Sequence, residues 1–154
     1  MCNLTNHTYF NIGGQDTVLN HELFIKSRQI TPVDDELICH GDYMDIDGTP
    51  YSFYPAKKLG KDMFSAAKFI KQCNGYDFNY CLDRVGKGLE HFATVYDPET
   101  GRKMDCYPIT RVGESYPAAL RSRMQLDAPG CLWAKGDLSL LSKPAIALVG
   151  SREL

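Results

Sequence analysis

Residues 30 to 54, "ITPVDDELICHGDYMDIDGTPYSFY", carry a Pro, Asp or Gly every few positions. Proline lacks a backbone donor, and Gly and Asp favour tight turns, so a stretch punctuated this way holds short strands joined by turns. The first two-thirds of the chain read as β on the same grounds. "TVLNHELFI" (17 to 25) is an expected strand with Leu19, His21, Leu23 and Ile25 on one face. "YDFNYCL" (76 to 82) is another, and "HFATVYDPETGRKMDCY" (91 to 107) predicts a hairpin around "DPETG". "MFSAAKFIKQC" (63 to 73) has the one helical spacing in this part, through Phe64, Ala67 and Ile70.

The segment "NLTNHTYFNIGG" (3 to 14) alternates so that Thr5, His7, Tyr9 and Asn11 share a face. Donors and acceptors around an aromatic ring suit a polyhydroxylated ligand, while the plainer reading is a structural histidine near a sheet edge. In "NGYDFNY" the carboxylate of Asp77 lies between Tyr76 and Phe78. A carboxylate can accept two sugar hydroxyls and an aromatic face can pack on a sugar's C–H face. A solvated aspartate after a glycine turn is the plainer alternative there.

A chain of 154 residues can form one sizeable core or two small pieces, and 44% hydrophobic with 23% charged residues is ordinary for a globular protein. The net charge of -2 argues against a generally basic nucleic-acid surface. No apolar run is long enough to cross a bilayer, and the N-terminus does not resemble a signal peptide. The six cysteines are scattered, without a CxxC pair or zinc-ligand spacing, so reduced thiols in a cytoplasmic protein are expected. The Asn-x-Thr sequons at Asn3 and Asn6 then carry no glycan. "DYMDIDGT" (42 to 49) fails as a calcium loop: with Gly48 at the sixth position, Tyr43 and Tyr54 occupy the first and twelfth. A solvated turn is expected instead, and no metal or cofactor.

Near residue 107 the character changes. "SYPAALRSRM" (115 to 124) reads as a helix entered through Pro117, and "AIALVGS" (145 to 151) as a strand buried in a parallel sheet. With no second strand after it, that unit is expected to be incomplete. "LVGSR" (148 to 152) lacks the further glycines of a dinucleotide fingerprint and the lysine of a P-loop.

The blocks "NLTNHTYFNIGG", "HELFI", "PVDDELI", "GTPYSF", "GYDFNY" and "VYDPETGRKM", taken in order, resemble the aldose 1-epimerase (galactose mutarotase) family over about residues 3 to 106. The resemblance implies part of a large antiparallel β-sandwich and a cofactor-free isomerase that interconverts the α and β anomers of hexoses such as glucose or galactose. It makes His7 the acid that protonates the ring oxygen and Asp77 the group that holds substrate hydroxyls. Asn6 is a substrate-binding candidate by adjacency. The family's basic glutamate falls beyond the matching part, and Glu90, Glu99 and Glu114 lie outside its motif.

"ITRVGESYPAALRSRM" and "DAPGCLWAKGDLSLLSKPAIALVGSREL" resemble the start of the DNA-processing protein A (Smf) family over about 108 to 154. That resemblance implies the start of a Rossmann-like α/β core, with Arg152 placed to meet a phosphate of single-stranded DNA. Beyond residue 107 the basic side chains exceed the acidic ones by two, a weak signal for tracking phosphates. The expectation is thus mainly β: a partial sandwich over 1–107, then a short α/β segment over 108–154. The leading function is a hexose mutarotase that lacks its base. The alternatives are a DNA-processing fragment, and an inactive fused or truncated product whose uncovered sheet edges favour self-association.

Overall fold

In the computed structural model, which describes residues 9–39, 41–86, 88–110, 113–125 and 131–134, the first regular element is β1, Glu22–Ile25. One residue later the chain enters β2, Ser27–Thr31. Short elements follow: β3 (Met44–Asp45), β4 (Lys57–Lys58), one 3-10 turn (Leu59–Lys61), α1 (Lys68–Gln72) and β5 (Asn79–Leu82). Beyond them lie β6 (Ala93–Tyr96), β7 (Lys103–Thr110), α2 (Ala118–Met124) and β8 (Cys131–Ala134). The strands form a sheet in the order β4-β1-β6-β7-β8 and a second in the order β3-β2-β5, all pairs antiparallel. The fold is mainly β, as expected. The expected strand at 145 to 151 lies outside the described residues.

The two sheets meet at Lys26. Its N–H donates to the Phe92 carbonyl at 2.7 Å, and its carbonyl accepts from Asp83 N–H at 2.9 Å. On β2, Ile30 turns inward and is fully buried, while its neighbour Gln29 turns out and donates to Asp45 at 2.8 Å. Ile30 packs in one cluster with Ile46, Tyr51 and Ile70, and Phe69, Phe78 and Tyr80 lie against it. The "DYMDIDGT" segment begins with β3 and then turns, as foreseen, at Gly48, whose φ of 71° favours glycine. It is not wholly solvated, because Ile46 is fully buried in that cluster.

Four elements are shorter than expected, among them the strand foreseen over 76 to 82, which is only β5, and the helix foreseen over 115 to 124, which is only α2. The helix foreseen over 63 to 73 is only Lys68–Gln72, because Ser65 N–H donates back to the Asp62 carbonyl and Ala67 is extended. Phe64 is 82% exposed, so of the expected apolar stripe only Ala67 and Ile70 reach the core. The strand foreseen over 17 to 25 begins at Glu22. Leu19 and His21 instead offer their carbonyls to Gly60 N–H (2.8 Å) and Leu59 N–H (2.9 Å).

The hairpin around "DPETG" forms as foreseen, with Tyr96 opposite Lys103 and Ala93 opposite Cys106. Asp97 organises its turn. The buried carboxylate accepts from the Thr100 hydroxyl, from the backbone N–H groups of Glu99 (3.2 Å) and Thr100 (3.1 Å), and from Gln15 Nε2 (3.0 Å). Gly13 comes so close that a Cβ there would stand 2.5 Å from Asp97 Oδ2. These bonds, the Thr100 hydroxyl first, hold the Asp97 carboxyl down at about 2. Glu90 plays the same part in the turn before β6. It accepts from Gly86 N–H (2.7 Å) and Val85 N–H (3.1 Å), and Lys26 Nζ lies 3.3 Å away. The backbone donors, Gly86 first, hold its carboxyl down at about 2 as well.

Three outcomes follow from these contacts. Ile30→Val removes one methylene from a fully buried site, and urea unfolding should show a loss of about 0.5–1.5 kcal/mol. Both turn carboxyls titrate lower in the folded chain than their ordinary 3.8 and 4.5, so their stabilisation is complete above about pH 4.5 and is lost as pH falls toward about 2. The urea midpoint should therefore drop between pH 6 and pH 3. Asp97→Asn should lower the midpoint at pH 7 and flatten its acid dependence.

Candidate functional site

Asp77 lies between α1 and β5, where the chain leaves the helix through Asn74 and Gly75 at positive φ. Alternation then divides the residues. Tyr76 meets Phe53 edge-on at 4.8 Å and Phe78 meets Tyr51 edge-on at 5.4 Å, so both rings are engaged with the core. Asp77, between them, is exposed, and its carboxylate makes no hydrogen bond or ion pair with the described residues. Asp77 also stands near Cys73, whose thiol is pushed up by burial first and by the Asp77 charge second. The flanking aromatics therefore support the backbone beneath Asp77 from within.

The 48–62 loop borders an open cleft of about 330 Å³ with Thr49, Ser52, Tyr54, Lys61 and Asp62 in its lining. Lys57 also lines it, with Nζ 2.7 Å from Asp62 and 2.6 Å from the Pro50 carbonyl, and with its cation 4.9 Å from the Phe53 ring. The Tyr76 hydroxyl donates to the carbonyl of Pro50, a lining residue, at 3.4 Å, on the side of the chain away from the Asp77 carboxylate. Burial, with the Asp62 charge second, pushes the Tyr76 phenol up to about 12. Burial likewise pushes the Tyr80 phenol up, and its hydroxyl donates to the Tyr51 carbonyl at 2.9 Å. Both phenols act as donors, not as bases.

His7, Asn6 and Arg152 lie outside the described residues. Two of the three glutamates set aside in the sequence are engaged elsewhere. Glu90 is tied into its turn, and Glu99 accepts from Gln15 (3.2 Å) and Asn20 (3.1 Å). A carboxyl held down at about 2, as in Glu90, is a poor proton acceptor near neutrality. Among the described residues no group of three His, Cys, Asp or Glu side chains is arranged to hold a metal ion. Cys39, Cys73 and Cys81 are free thiols.

One polar cluster escaped the sequence reading. His91 Nε2 stands 2.8 Å from the Thr94 hydroxyl and 3.3 Å from Asp105, and its ring stacks on Phe24 at 5.6 Å. The Thr94 hydroxyl donates to Asp105 at 2.6 Å, and this bond first, then Lys103 and His91, lowers the Asp105 carboxyl. Because that proton already goes to the carboxylate, Thr94 is not set up as a nucleophile activated by His91. The hairpin register could have revealed the cluster, since counting back from the turn places Thr94 opposite Asp105.

The family model for aldose 1-epimerase matches residues 1–109 of the chain, and that for DNA recombination-mediator protein A matches residues 108–154. Galactose mutarotase from Sus scrofa is 36% identical over 107 residues, covering 68% of this chain and 30% of that protein. The galactose mutarotase of Homo sapiens is 35% identical over 108 residues, and the aldose 1-epimerase of Escherichia coli K12 33% over 106. The chain thus spans about 30% of the length of the curated relatives it matches. Among solved structures, galactose 1-epimerase from Lactobacillus acidophilus NCFM is similar with a TM-score of 0.57 at 22% identity, over 68% of this chain and 29% of that one. A GalM/aldose epimerase homologue from C. elegans gives 0.56 at 19%, over 66% and 30%. Fold and sequence agree, and through residues 1–109 the chain belongs to the aldose 1-epimerase family.

Proposed function

We propose that the chain handles free hexoses in the manner of an aldose 1-epimerase, with Asp77 holding sugar hydroxyls and His7 as the acid at the ring oxygen. Asn6, beside His7, is a further substrate contact in this reading. The observation that carries it is Asp77 itself: an exposed carboxylate, uncommitted among the described residues and braced from below by two core aromatics. A carboxylate in that state can accept a pair of adjacent hydroxyls without first breaking a bond inside the protein. Opening the ring also needs a base at the anomeric hydroxyl. Glu90 and Glu99 are spent on turns and loops, so the reading is a sugar-binding, mutarotase-type site whose base is missing. It requires no cofactor and places the protein in the cytoplasm. No helix among the described residues is long and apolar enough to cross a membrane.

The match over residues 108–154 favours a second reading, in which that segment contacts single-stranded DNA through Arg152. A third, an inactive product that self-associates through open sheet edges, is the outcome if neither ligand binds.

Sugar binding and mutarotation can be measured separately. Ligand-observed NMR with galactose or glucose should show binding that Asp77→Asn weakens by about tenfold, the cost of one charge-assisted hydrogen bond. Polarimetry on fresh α-D-galactose should show acceleration over buffer that His7→Ala abolishes. The gain should fall well short of the roughly 100- to 10,000-fold that a positioned acid or base contributes. Binding without acceleration would leave a sugar-binding module, and no binding at all would end the proposal. A fluorescent oligonucleotide at low salt tests the second reading, which requires Arg152→Ala to weaken binding.

A further inference from the structure

The aldose 1-epimerase match ends at residue 109 and the second match begins at 108, and both limits fall inside one strand, Lys103–Thr110. The first half of this strand, β7, pairs with β6, from Tyr96↔Lys103 to Ala93↔Cys106. Its second half overhangs β6 and pairs with β8, from Tyr107↔Ala134 to Thr110↔Cys131. The partner changes between Cys106 and Tyr107, yet the strand does not break. Separate domains are ordinarily joined by an exposed linker that few contacts cross.

Packing follows the same line. Ile109 and Tyr116 are 2% and 3% exposed, and Leu120, Met124 and Leu132 lie against them. Ile109 comes from β7, Leu120 and Met124 from α2, and Leu132 from β8. All five residues lie within the second match, and Ile109 falls within the first as well, so this core is tied to the β6 side of the sheet through the shared strand β7. Arg121 adds a cation over the Tyr116 ring at 5.5 Å and donates to the Gly113 carbonyl at 2.8 Å.

We infer that residues 113–125 and 131–134 are the in-chain partner of the epimerase-type sheet, docking a helix and a strand on the β7 overhang so that the two family segments fold as one cooperative unit. The overhang offers backbone donors and acceptors with no ladder partner on β6, and a buried or edge-exposed row of such groups must find one. β8 supplies the ladder, and α2 supplies the apolar cover. The occupant of this surface is the chain's own second segment, a conclusion independent of whether any sugar binds.

The single tryptophan of the chain, Trp133, lies in β8, within the second family match. In a urea titration of the full chain, Trp133 fluorescence should share one midpoint with the loss of amide-exchange protection in β1 and β6. Ile109→Ala and Leu120→Ala should each move both signals together, by about 1 M urea or more for Ile109→Ala. Two separate midpoints would overturn the inference, as would a Leu120→Ala that moves the Trp133 signal and leaves β1 and β6 where they were. If Ile109→Ala is unfolded without urea, protection in β1 and β6 must be lost with it; protection that survives would also overturn the inference.

Discussion

Lys26 is the residue on which both sheets depend. It is the only residue between β1 and β2, and each of its peptide groups serves a different neighbour: Phe92 at the start of the β6 hairpin, and Asp83 just past β5. An unmade bond at a partly buried backbone group costs about 1–3 kcal/mol, so this crossing must be filled correctly on both sides. Its side chain reinforces the arrangement. The ammonium lies 3.3 Å from Glu90, and Glu90 in turn gathers the N–H groups of Val85 and Gly86. One residue thereby fixes the end of β1, the exit from β5 and the turn into β6. A slip of a single residue here would also exchange the faces of β2 and carry Ile30 out of the core.

What could be read from the sequence was whatever local chemistry decides. The hairpin was legible because Asp97, Pro98 and Gly101 sit where a tight turn needs an acceptor, a fixed φ and a left-handed residue, and Gly101 has a φ of 71°. The helix over 63 to 73 was overestimated because periodicity cannot say whether a face will find cover. Phe64 found none, and the turn from Asp62 to Ser65 took the place of the first helical turn. The strand over 17 to 25 was overextended for the opposite reason. Leu19 and His21 do pair through their carbonyls, but with the 3-10 turn at Leu59–Lys61, a partner that no short-range pattern announces.

The candidate site shows the same division. The sequence showed Asp77 flanked by Tyr76 and Phe78, and in the fold those two rings turn into the core while Asp77 stays exposed. Alternation could not say that those rings would be used up in the core cluster and leave no open platform for a sugar's apolar face. Nor could it rank the glutamates, since what disqualifies Glu90 as a base is a set of backbone donors brought by a turn, not any neighbour in sequence. The cluster of His91, Thr94 and Asp105 needed register rather than motif. Its members become neighbours only once β6 and β7 are paired.

Register also explains how two unrelated family segments can share β7. Ladder hydrogen bonds are made by the backbone and are indifferent to side chains, so a strand begun by one segment can be continued by another. What must be reconciled is the buried face. Met104, 7% exposed, and Ile109, 2% exposed, are five residues apart on one strand, an odd spacing that places them on opposite faces. The first half of β7 therefore buries one face and the second half the other. The change coincides with the exchange of β6 for β8 as partner. Had the second segment brought its apolar cover to the Met104 face, Ile109 would have been left facing water. Instead Tyr116, Leu120 and Leu132 gather on the Ile109 side. The junction is tolerated because hydrogen bonding is continuous across it, while each half of the strand keeps the core its own sequence calls for.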